Sequence, residues 1–195
     1  MEKILITGTG RCGTTFLIKL FSFLGFNTGY DINNYKLSIS SNCNSGMERS
    51  YKDNYYILKN PTFITDIENI SKDTSIKIKN VIIPIRDLKI SAKSRVKHDN
   101  KDGGLWNAND ELSQIEFYKN ILTNYIITST KYDINTIFID FDKMIKNKKY
   151  FFNKLKNILD EKNINFKTFS DIYEVSNINF NKPIFFNVQL KIPKV

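Results

Sequence analysis

A glycine-rich turn between a short strand and a helix, close to the start of the chain, is the feature that most constrains its fold. Residues Lys3–Thr7 are mainly apolar and of strand length, which predicts a buried strand. The turn Gly8–Gly13 follows, and from Thr14 the apolar residues recur at helical spacing until Gly25, a residue typical of a helix C-terminus. The predicted opening is strand, tight turn and helix, an arrangement whose backbone N–H groups can surround an anion.

Strands and helices alternate along the rest of the chain. Further strands are predicted at Tyr55–Leu58, Val81–Ile85 and Thr136–Ile139, and helices at about Phe63–Ile70, Leu88–Val96, Asp110–Thr130 and Tyr150–Leu159. This alternation predicts an α/β fold with three α/β/α layers around a central parallel sheet. The length suits a single domain, residues 1–195. The segment Phe26–Asn54 is polar, so we expect a long loop there, and residues 166–195 carry no clear pattern.

Composition excludes several classes of protein. No stretch reaches the roughly 18 apolar residues of a membrane helix, and the start of the chain is interrupted too early for a signal peptide, so we expect a cytoplasmic protein. One histidine and two cysteines, Cys12 and Cys43, do not form a zinc-site pattern, and we expect no metal. The net charge of +9 has two interpretations, lysine enrichment or an anionic partner.

The segment Gly8–Thr15 has the outline of a phosphate-binding loop, G-x-x-x-x-G-K-[ST], with Thr14 in place of the lysine. Glycines let the backbone approach an anion, N–H groups at the helix start donate to it, and Arg11 can supply the cation. The residues expected to bind the anion are Gly10, Arg11, Cys12, Gly13, Thr14 and Thr15. A structural glycine-rich turn without a ligand is the alternative. The missing lysine argues against ATP or GTP hydrolysis.

The run Arg11-Cys12-Gly13-Thr14-Thr15 resembles the loop with which sulfotransferases bind the 5'-phosphosulfate of 3'-phosphoadenosine-5'-phosphosulfate (PAPS). That loop reads [K/R]-[S/x]-G-[T/S]-[T/S], and its arginine form is similar to tyrosyl-protein and small bacterial or phage-type sulfotransferases. The resemblance covers roughly residues 4–159. It implies a P-loop NTPase-like fold, PAPS as co-substrate and no metal.

A second motif of the same family follows the third predicted strand. Sulfotransferases carry an arginine at a strand end and a serine eight residues later, and the resemblance implies that Arg86 and Ser94 hold the 3'-phosphate of PAPS. Position also favours this, because an arginine at the carboxyl end of a parallel strand reaches the ligand crevice. The alternative is a pair between Arg86 and Asp87 at a loop, together with a surface serine.

The resemblance also bears on catalysis. It implies that Lys59, after the second predicted strand, lies near the transferring sulfate, and that Arg11 and Lys59 act in catalysis by neutralising the bridging and sulfuryl oxygens. The cytosolic enzymes use a histidine as general base shortly after this lysine, but here Pro61 stands at that place. The candidate bases are therefore Asp31, Glu48 and His98. An amine acceptor would relax the need for a base.

The function implied is transfer of a sulfuryl group from PAPS to a hydroxyl or amine of a small-molecule, glycan or peptide acceptor, whose identity the sequence leaves open. The segments Phe26–Asn54 and Lys97–Asn109 are expected to determine which acceptor binds. Within the second segment, Gly103–Trp106 is either a flap over the acceptor or, through Trp106, an anchor in the core. The alternatives are a P-loop nucleotide or small-molecule kinase, a polyanion binder and an inactive family member. Because the lysines are scattered, we expect no nucleic-acid partner.

Overall fold

The structure is a computed structural model that describes residues 1–40, 45–98 and 103–177. It contains four strands, each close to its predicted position. They are β1 (Glu2–Ile6), β2 (Ile57–Lys59), β3 (Lys77–Ile85) and β4 (Thr136–Asp140). They form one parallel sheet in the order β2-β1-β3-β4. The prediction of an α/β fold with a parallel sheet is confirmed.

Seven α-helices and one short 3-10 helix, Tyr35–Ser38, lie in the described part of the chain. The α-helices are α1 (Thr14–Phe23), α2 (Phe63–Lys72), α3 (Leu88–Val96), α4 (Glu111–Lys131), α5 (Phe141–Lys146), α6 (Lys148–Asp160) and α7 (Phe166–Asn177). The sequence analysis did not predict α5 or α7. The first is too short to show a period, whereas in α7 the apolar residues Phe169, Ile172 and Tyr173 are helically spaced and could have been used.

Helices cover both faces of the sheet because successive residues of a strand point to opposite sides. In β1, Ile4 and Ile6 pack into a core with α1, α6 and α7, whereas Leu5 packs on the other face with α2, α3 and α4. Tyr118 and Tyr125 of α4 are fully buried in this second core.

Local sequence sets several helix ends, and the end of α1 at Gly25 was predicted. Asp110 caps α4 by accepting a hydrogen bond from the N–H of Ser113, whose side chain completes a capping box. Asp87 caps α3 in the same way through the N–H of Ile90. Gly25 follows α1 with φ +79°, a left-handed conformation in which glycine has no steric penalty.

None of the described helices combines the length and apolarity that crossing a membrane requires. Cys43, residues 99–102 of the Lys97–Asn109 loop and residues 178–195 lie outside the described residues.

Candidate anion-binding cleft

A cleft of about 1020 Å³ opens where β1 and β3 end. From β1 the chain passes through α1 to β2, on one side of the β1–β3 pair. From β3 it passes to β4, on the opposite side of that pair. The strand order therefore reverses between β1 and β3. Ligands of open α/β sheets bind in the crevice at such a point, outside the carboxyl ends of the strands. The volume is at the upper end of the range for small-molecule sites.

The glycine-rich turn forms one wall of the cleft. Gly10, Arg11 and Gly13 all have positive φ, at 78°, 56° and 93°. The turn therefore winds tightly before α1 begins. The N-cap position is Gly13, which has no side chain to cap the helix, so the N–H groups of the first turn point towards the cleft. Thr14 and Thr15 line the cleft beside them.

At two of these glycines, neighbouring side chains leave no room for a Cβ atom. A Cβ built on Gly10 would lie 2.1 Å from Nη2 of Arg95, and one on Gly13 would lie 2.7 Å from Cε of Met144. Both distances are far below van der Waals contact. A side chain at either position would displace a residue that shapes the cleft.

Arg11 connects the turn to α3. Its Nε donates to Oγ of Ser94 at 3.0 Å, and its Nη2 lies 3.3 Å from Nε2 of His98. Two residues that the sequence analysis assigned to different ends of a ligand, Arg11 and Ser94, are thus in direct contact.

Arg86 lies at the end of β3 and also lines the cleft. Its Nη1 donates to the carbonyl oxygen of Arg11 at 2.9 Å, and its guanidinium carbon lies 4.6 Å from the centre of the Phe141 ring. Asp87 instead caps α3, and among the described residues no ion pair joins it to Arg86. The alternative of an Arg86–Asp87 pair is therefore not the arrangement found.

A third arginine, Arg95, was missed by the sequence analysis. It is only 8% exposed and lines the cleft next to Gly10. Its Nε donates to the hydroxyl of Tyr118 at 2.5 Å, it donates through Nη1 to the carbonyl oxygen of Gly104, and its guanidinium carbon lies 5.4 Å from the Trp106 ring. Burial raises the pKa of Tyr118 to about 12, so this partner stays a neutral phenol.

Trp106 is held in place by packing. Its N–H donates to Oε1 of Gln114 at 2.7 Å, its carbonyl accepts from Nε2 of Gln114, and its ring makes an edge contact with Phe117. These contacts favour the interpretation of Trp106 as an anchor over that of a flap. Gly103, in the same segment Gly103–Trp106, lines the cleft.

Lys59 and Glu48 lie in the cleft as an ion pair. Lys59 ends β2, is 1% exposed, and donates to Oε1 of Glu48 and, at 2.9 Å, to the carbonyl of Gly46. The Glu48 side chain is 39% exposed, so its carboxylate is reachable from the cleft. The structure thus brings together the predicted lysine and one of the three candidate bases.

The two other candidate bases lie elsewhere. Asp31 does not line the cleft, since its carboxylate accepts hydrogen bonds from the backbone N–H groups of Asn33 and Asn34 and shapes the turn before the 3-10 helix. His98 contacts Arg11.

Cys12, expected to bind the anion, is completely buried beneath the loop, and this burial raises the pKa of its thiol.

Two further cleft residues, Lys19 and Ser176, were also missed. Lys19 is on α1, 4% exposed, with its ammonium 5.8 Å from the centre of the Tyr35 ring. Desolvation, followed by the charge of Lys36, lowers its pKa to about 8. Ser176, on α7, is 1% exposed, and its Oγ has no hydrogen-bond partner within the described residues.

Several cationic side chains line the cleft, namely those of Arg11, Lys19, Lys59, Arg86 and Arg95. In the described ranges no cluster of three or more histidine, cysteine or acidic side chains is arranged to hold a metal ion. Comparison of the chain with protein-family models, with curated proteins and with solved structures gives no significant match.

Proposed function

We propose that this protein transfers a sulfuryl group from PAPS to a hydroxyl or amine acceptor, on a fold of the P-loop NTPase type. One observation carries the proposal. Arg86 lines the same cleft as the phosphate-binding loop at the ends of β1 and β3, and Ser94, which is not among the residues that line it, accepts a hydrogen bond from Arg11 of that loop. The sulfotransferase resemblance assigns this loop and the pair Arg86 and Ser94 to the two phosphates of one nucleotide. A coincidental arginine and serine would have no reason to meet this loop.

The residues of the cleft fit a doubly phosphorylated nucleotide. The uncapped first turn of α1, with the hydroxyls of Thr14 and Thr15, is suited to the 5'-phosphate and its sulfuryl group. Arg86 and Ser94 are suited to the 3'-phosphate, because a guanidinium binds a phosphate through two parallel N–H groups. The contact between Arg11 and Ser94 favours a role for Arg11 at this same end, whereas the resemblance assigned it to the sulfuryl end.

The reaction is an in-line displacement at sulfur. The acceptor oxygen or nitrogen forms a bond to sulfur while the bond from sulfur to the bridging oxygen breaks, and its electron pair leaves with adenosine 3',5'-bisphosphate. We assign Lys59, which lines the cleft, to the stabilisation of charge on the sulfuryl oxygens. Of the candidate bases, Glu48 is the one that lines the cleft beside Lys59, so we assign it the acceptor proton.

A calorimetric titration with three nucleotides tests the proposal. Adenosine 3',5'-bisphosphate is expected to bind at least about 30-fold more tightly than adenosine 5'-monophosphate, because only the first can use Arg86 and Ser94. Mg-ATP is the third ligand and represents the kinase alternative. Equal affinity for the bisphosphate and the monophosphate, or tightest binding of Mg-ATP, would contradict the proposal.

Binding alone does not establish transfer, so a second experiment follows. The protein is incubated with PAPS labelled in the sulfuryl group and a mixture of phenol, sugar and amine acceptors, and labelled products are separated. Labelled acceptor is expected from the wild type and not from Lys59→Met. A protein that binds the bisphosphate but gives no labelled product would be an inactive family member.

A further inference from the structure

Arg95 is the most deeply buried of the three arginines of the cleft, and it has no role in the proposed function. It belongs to α3, is 8% exposed and lines the cleft. Its guanidinium lies against the glycine-rich turn, because a Cβ built on Gly10 would be 2.1 Å from Nη2 and 3.1 Å from Cζ of Arg95. The Nη2 edge of this buried cation is therefore beside the backbone of the turn, and Gly10 lines the same cleft.

The hydrogen bonds of Arg95 go to neutral partners. Its Nε donates to the hydroxyl of Tyr118 and its Nη1 donates to the carbonyl oxygen of Gly104. Burial raises the pKa of Tyr118 to about 12, so this phenol carries no negative charge at neutral pH. The rings of Trp106 and Tyr118 lie 5.4 and 6.0 Å from the guanidinium carbon, and such contacts stabilise a cation while leaving its net charge in place.

The charge of Arg95 has no opposite charge beside it within the described part of the chain. No aspartate or glutamate of the described residues forms an ion pair with it. A lysine in such a place can lose its proton, whereas a guanidinium stays charged. Buried charges in proteins are normally paired, because an unpaired one destabilises the fold. Nη2, which donates to none of the described residues, is the atom of Arg95 at which an anionic ligand can supply that pair.

Resting on the proposed function, we propose that Arg95 is a further nucleotide-binding residue, whose Nη2 donates to a phosphate oxygen of the nucleotide beside Gly10. A hydrogen bond from a guanidinium to a phosphate is charge-assisted, so it is among the stronger contacts that a cleft can offer. The bonds to Tyr118 and Gly104 hold the side chain in place before the ligand arrives, which reduces the entropy lost on binding. Adenosine 3',5'-bisphosphate carries two phosphates, and the experiment distinguishes between them.

The test compares two variants of Arg95 that differ in charge. Arg95→Lys and Arg95→Met have side chains of similar length, and both lose the guanidinium bonds to Tyr118 and Gly104. The full chain is titrated calorimetrically with adenosine 3',5'-bisphosphate. We expect Arg95→Met to bind it about 10- to 100-fold more weakly than the wild type, the range for a hydrogen bond to a charged group. Arg95→Lys keeps the charge and should bind it at least about 5-fold more tightly than Arg95→Met.

Two further variants separate binding from support of the fold. Tyr118→Phe removes the acceptor of the Nε bond but keeps the guanidinium, and it should leave the bisphosphate affinity within about 3-fold of wild type. If Arg95 only supported the fold, Tyr118→Phe would weaken binding as much as Arg95→Met. Lys93→Met removes an exposed cation from α3 and should change the affinity less than about 2-fold, because an exposed charge is screened. Denaturant unfolding checks that each variant folds, and Arg95→Gln replaces Arg95→Met where that variant does not.

The same variants are titrated with the two adenosine monophosphates to identify the phosphate. A loss of affinity for adenosine 5'-monophosphate in Arg95→Met would place Nη2 at the 5'-phosphate. A loss confined to adenosine 3'-monophosphate and the bisphosphate would place it at the 3'-phosphate. Either result supports the proposal, and a loss for none of the three nucleotides overturns it.

The outcomes separate this proposal from the proposed function. If the wild type and Arg95→Met bind the bisphosphate equally well, the role of Arg95 is overturned and the proposed function stands. If Arg95→Lys and Arg95→Met weaken binding equally, the charge of Arg95 does not act on the ligand, and its role is again overturned. If the wild type does not bind the bisphosphate, the proposed function fails and the role of Arg95 fails with it.

Discussion

The two sides of the cleft hold positive charge in different ways. On the α3 side, Arg11, Arg86 and Arg95 each donate to fixed oxygen atoms, namely a serine hydroxyl, a backbone carbonyl and a tyrosine hydroxyl. On the α1 side, the ammonium of Lys19 is desolvated and lies next to an aromatic ring and a second lysine. A guanidinium stays charged when buried and is oriented by several hydrogen bonds, whereas a buried ammonium shifts its pKa.

This difference suggests a division of work. A co-substrate that is always the same highly charged nucleotide is best bound by charges that are fixed in place and do not titrate. A desolvated ammonium with a pKa of about 8 gives a positive charge that is lost as the pH rises. Four predictions test how far this contrast holds, beginning with the largest expected effect.

Gly10→Ala should disturb the arginine side most strongly, because a Cβ at Gly10 overlaps Nη2 of Arg95 and φ is +78°. We expect unfolding free energy to fall by about 3 kcal/mol and bisphosphate affinity to fall about 100-fold. Gly25→Ala is the matched control, with φ +79° but with Nζ of Lys162, 4.0 Å away, as the nearest atom to the added Cβ, and it should cost only about 1 kcal/mol. Denaturant unfolding measures the free energy of unfolding of the two variants, and calorimetry measures their affinity for the bisphosphate. Equal effects would mean that Arg95 does not constrain the loop.

Arg86→Ala should weaken adenosine 3',5'-bisphosphate binding about 30-fold, or about 2 kcal/mol, through loss of a charge-assisted contact to the 3'-phosphate. Binding of adenosine 5'-monophosphate should change little, so the preference between the two nucleotides collapses. Lys93→Ala removes one exposed charge from α3 and should leave that preference intact. A parallel loss of affinity for both nucleotides would show that Arg86 acts through the loop rather than on the 3'-phosphate.

Lys19→Met should stabilise the protein by about 1.5 kcal/mol at pH 7, because it removes the cost of burying a charge. Its pKa is lowered from 10.5 in the unfolded chain to about 8 in the folded protein, so the folded state releases the proton more easily. The cost is therefore fully present below pH 8, declines as the pH rises towards 10.5, and is absent above it.

The measurement is the difference in unfolding free energy between wild type and Lys19→Met at a series of pH values from 7 to about 10.5. The difference should shrink across that window. Lys167→Met serves as control, since the same charge is removed from an exposed position on α7. A difference that does not depend on pH would mean that Lys19 is not desolvated in the folded protein.

Glu48→Gln tests the ion pair between Glu48 and Lys59 in the cleft. It leaves the ammonium of Lys59, which is 1% exposed, without its carboxylate partner. We expect a loss of about 1 kcal/mol in unfolding free energy, less than for a fully buried pair because Glu48 is 39% exposed. Glu116→Gln removes the partner of Lys119 on the surface of α4 and should have no measurable effect. Equal losses of unfolding free energy in the two variants would mean that the Glu48–Lys59 pair stabilises the protein no more than an exposed ion pair does.

Much of the fold could be predicted from the sequence because its signals are local. The strand, turn and helix at the start of the chain, the boundaries of α3 and the Asp110 cap of α4 each depend on residues within a few positions of one another. The spacing of Arg86 and Ser94 is also local and visible in the sequence, and the shared role inferred from it stays a prediction. The weak points were α5, too short for a period, and α7, whose apolar spacing was overlooked.

Only the tertiary structure determined which of these local segments contact one another. Arg11 and Ser94 are 83 positions apart, and their contact exists because β1 and β3 are neighbours in the sheet. The same holds for Lys19 and Ser176: in the sequence each is a polar residue within a helical pattern, and nothing near it indicates that it faces a cleft. Burial and charge pairing are set by distant segments, and a single sequence records local preferences far better than it records which distant segments pack together.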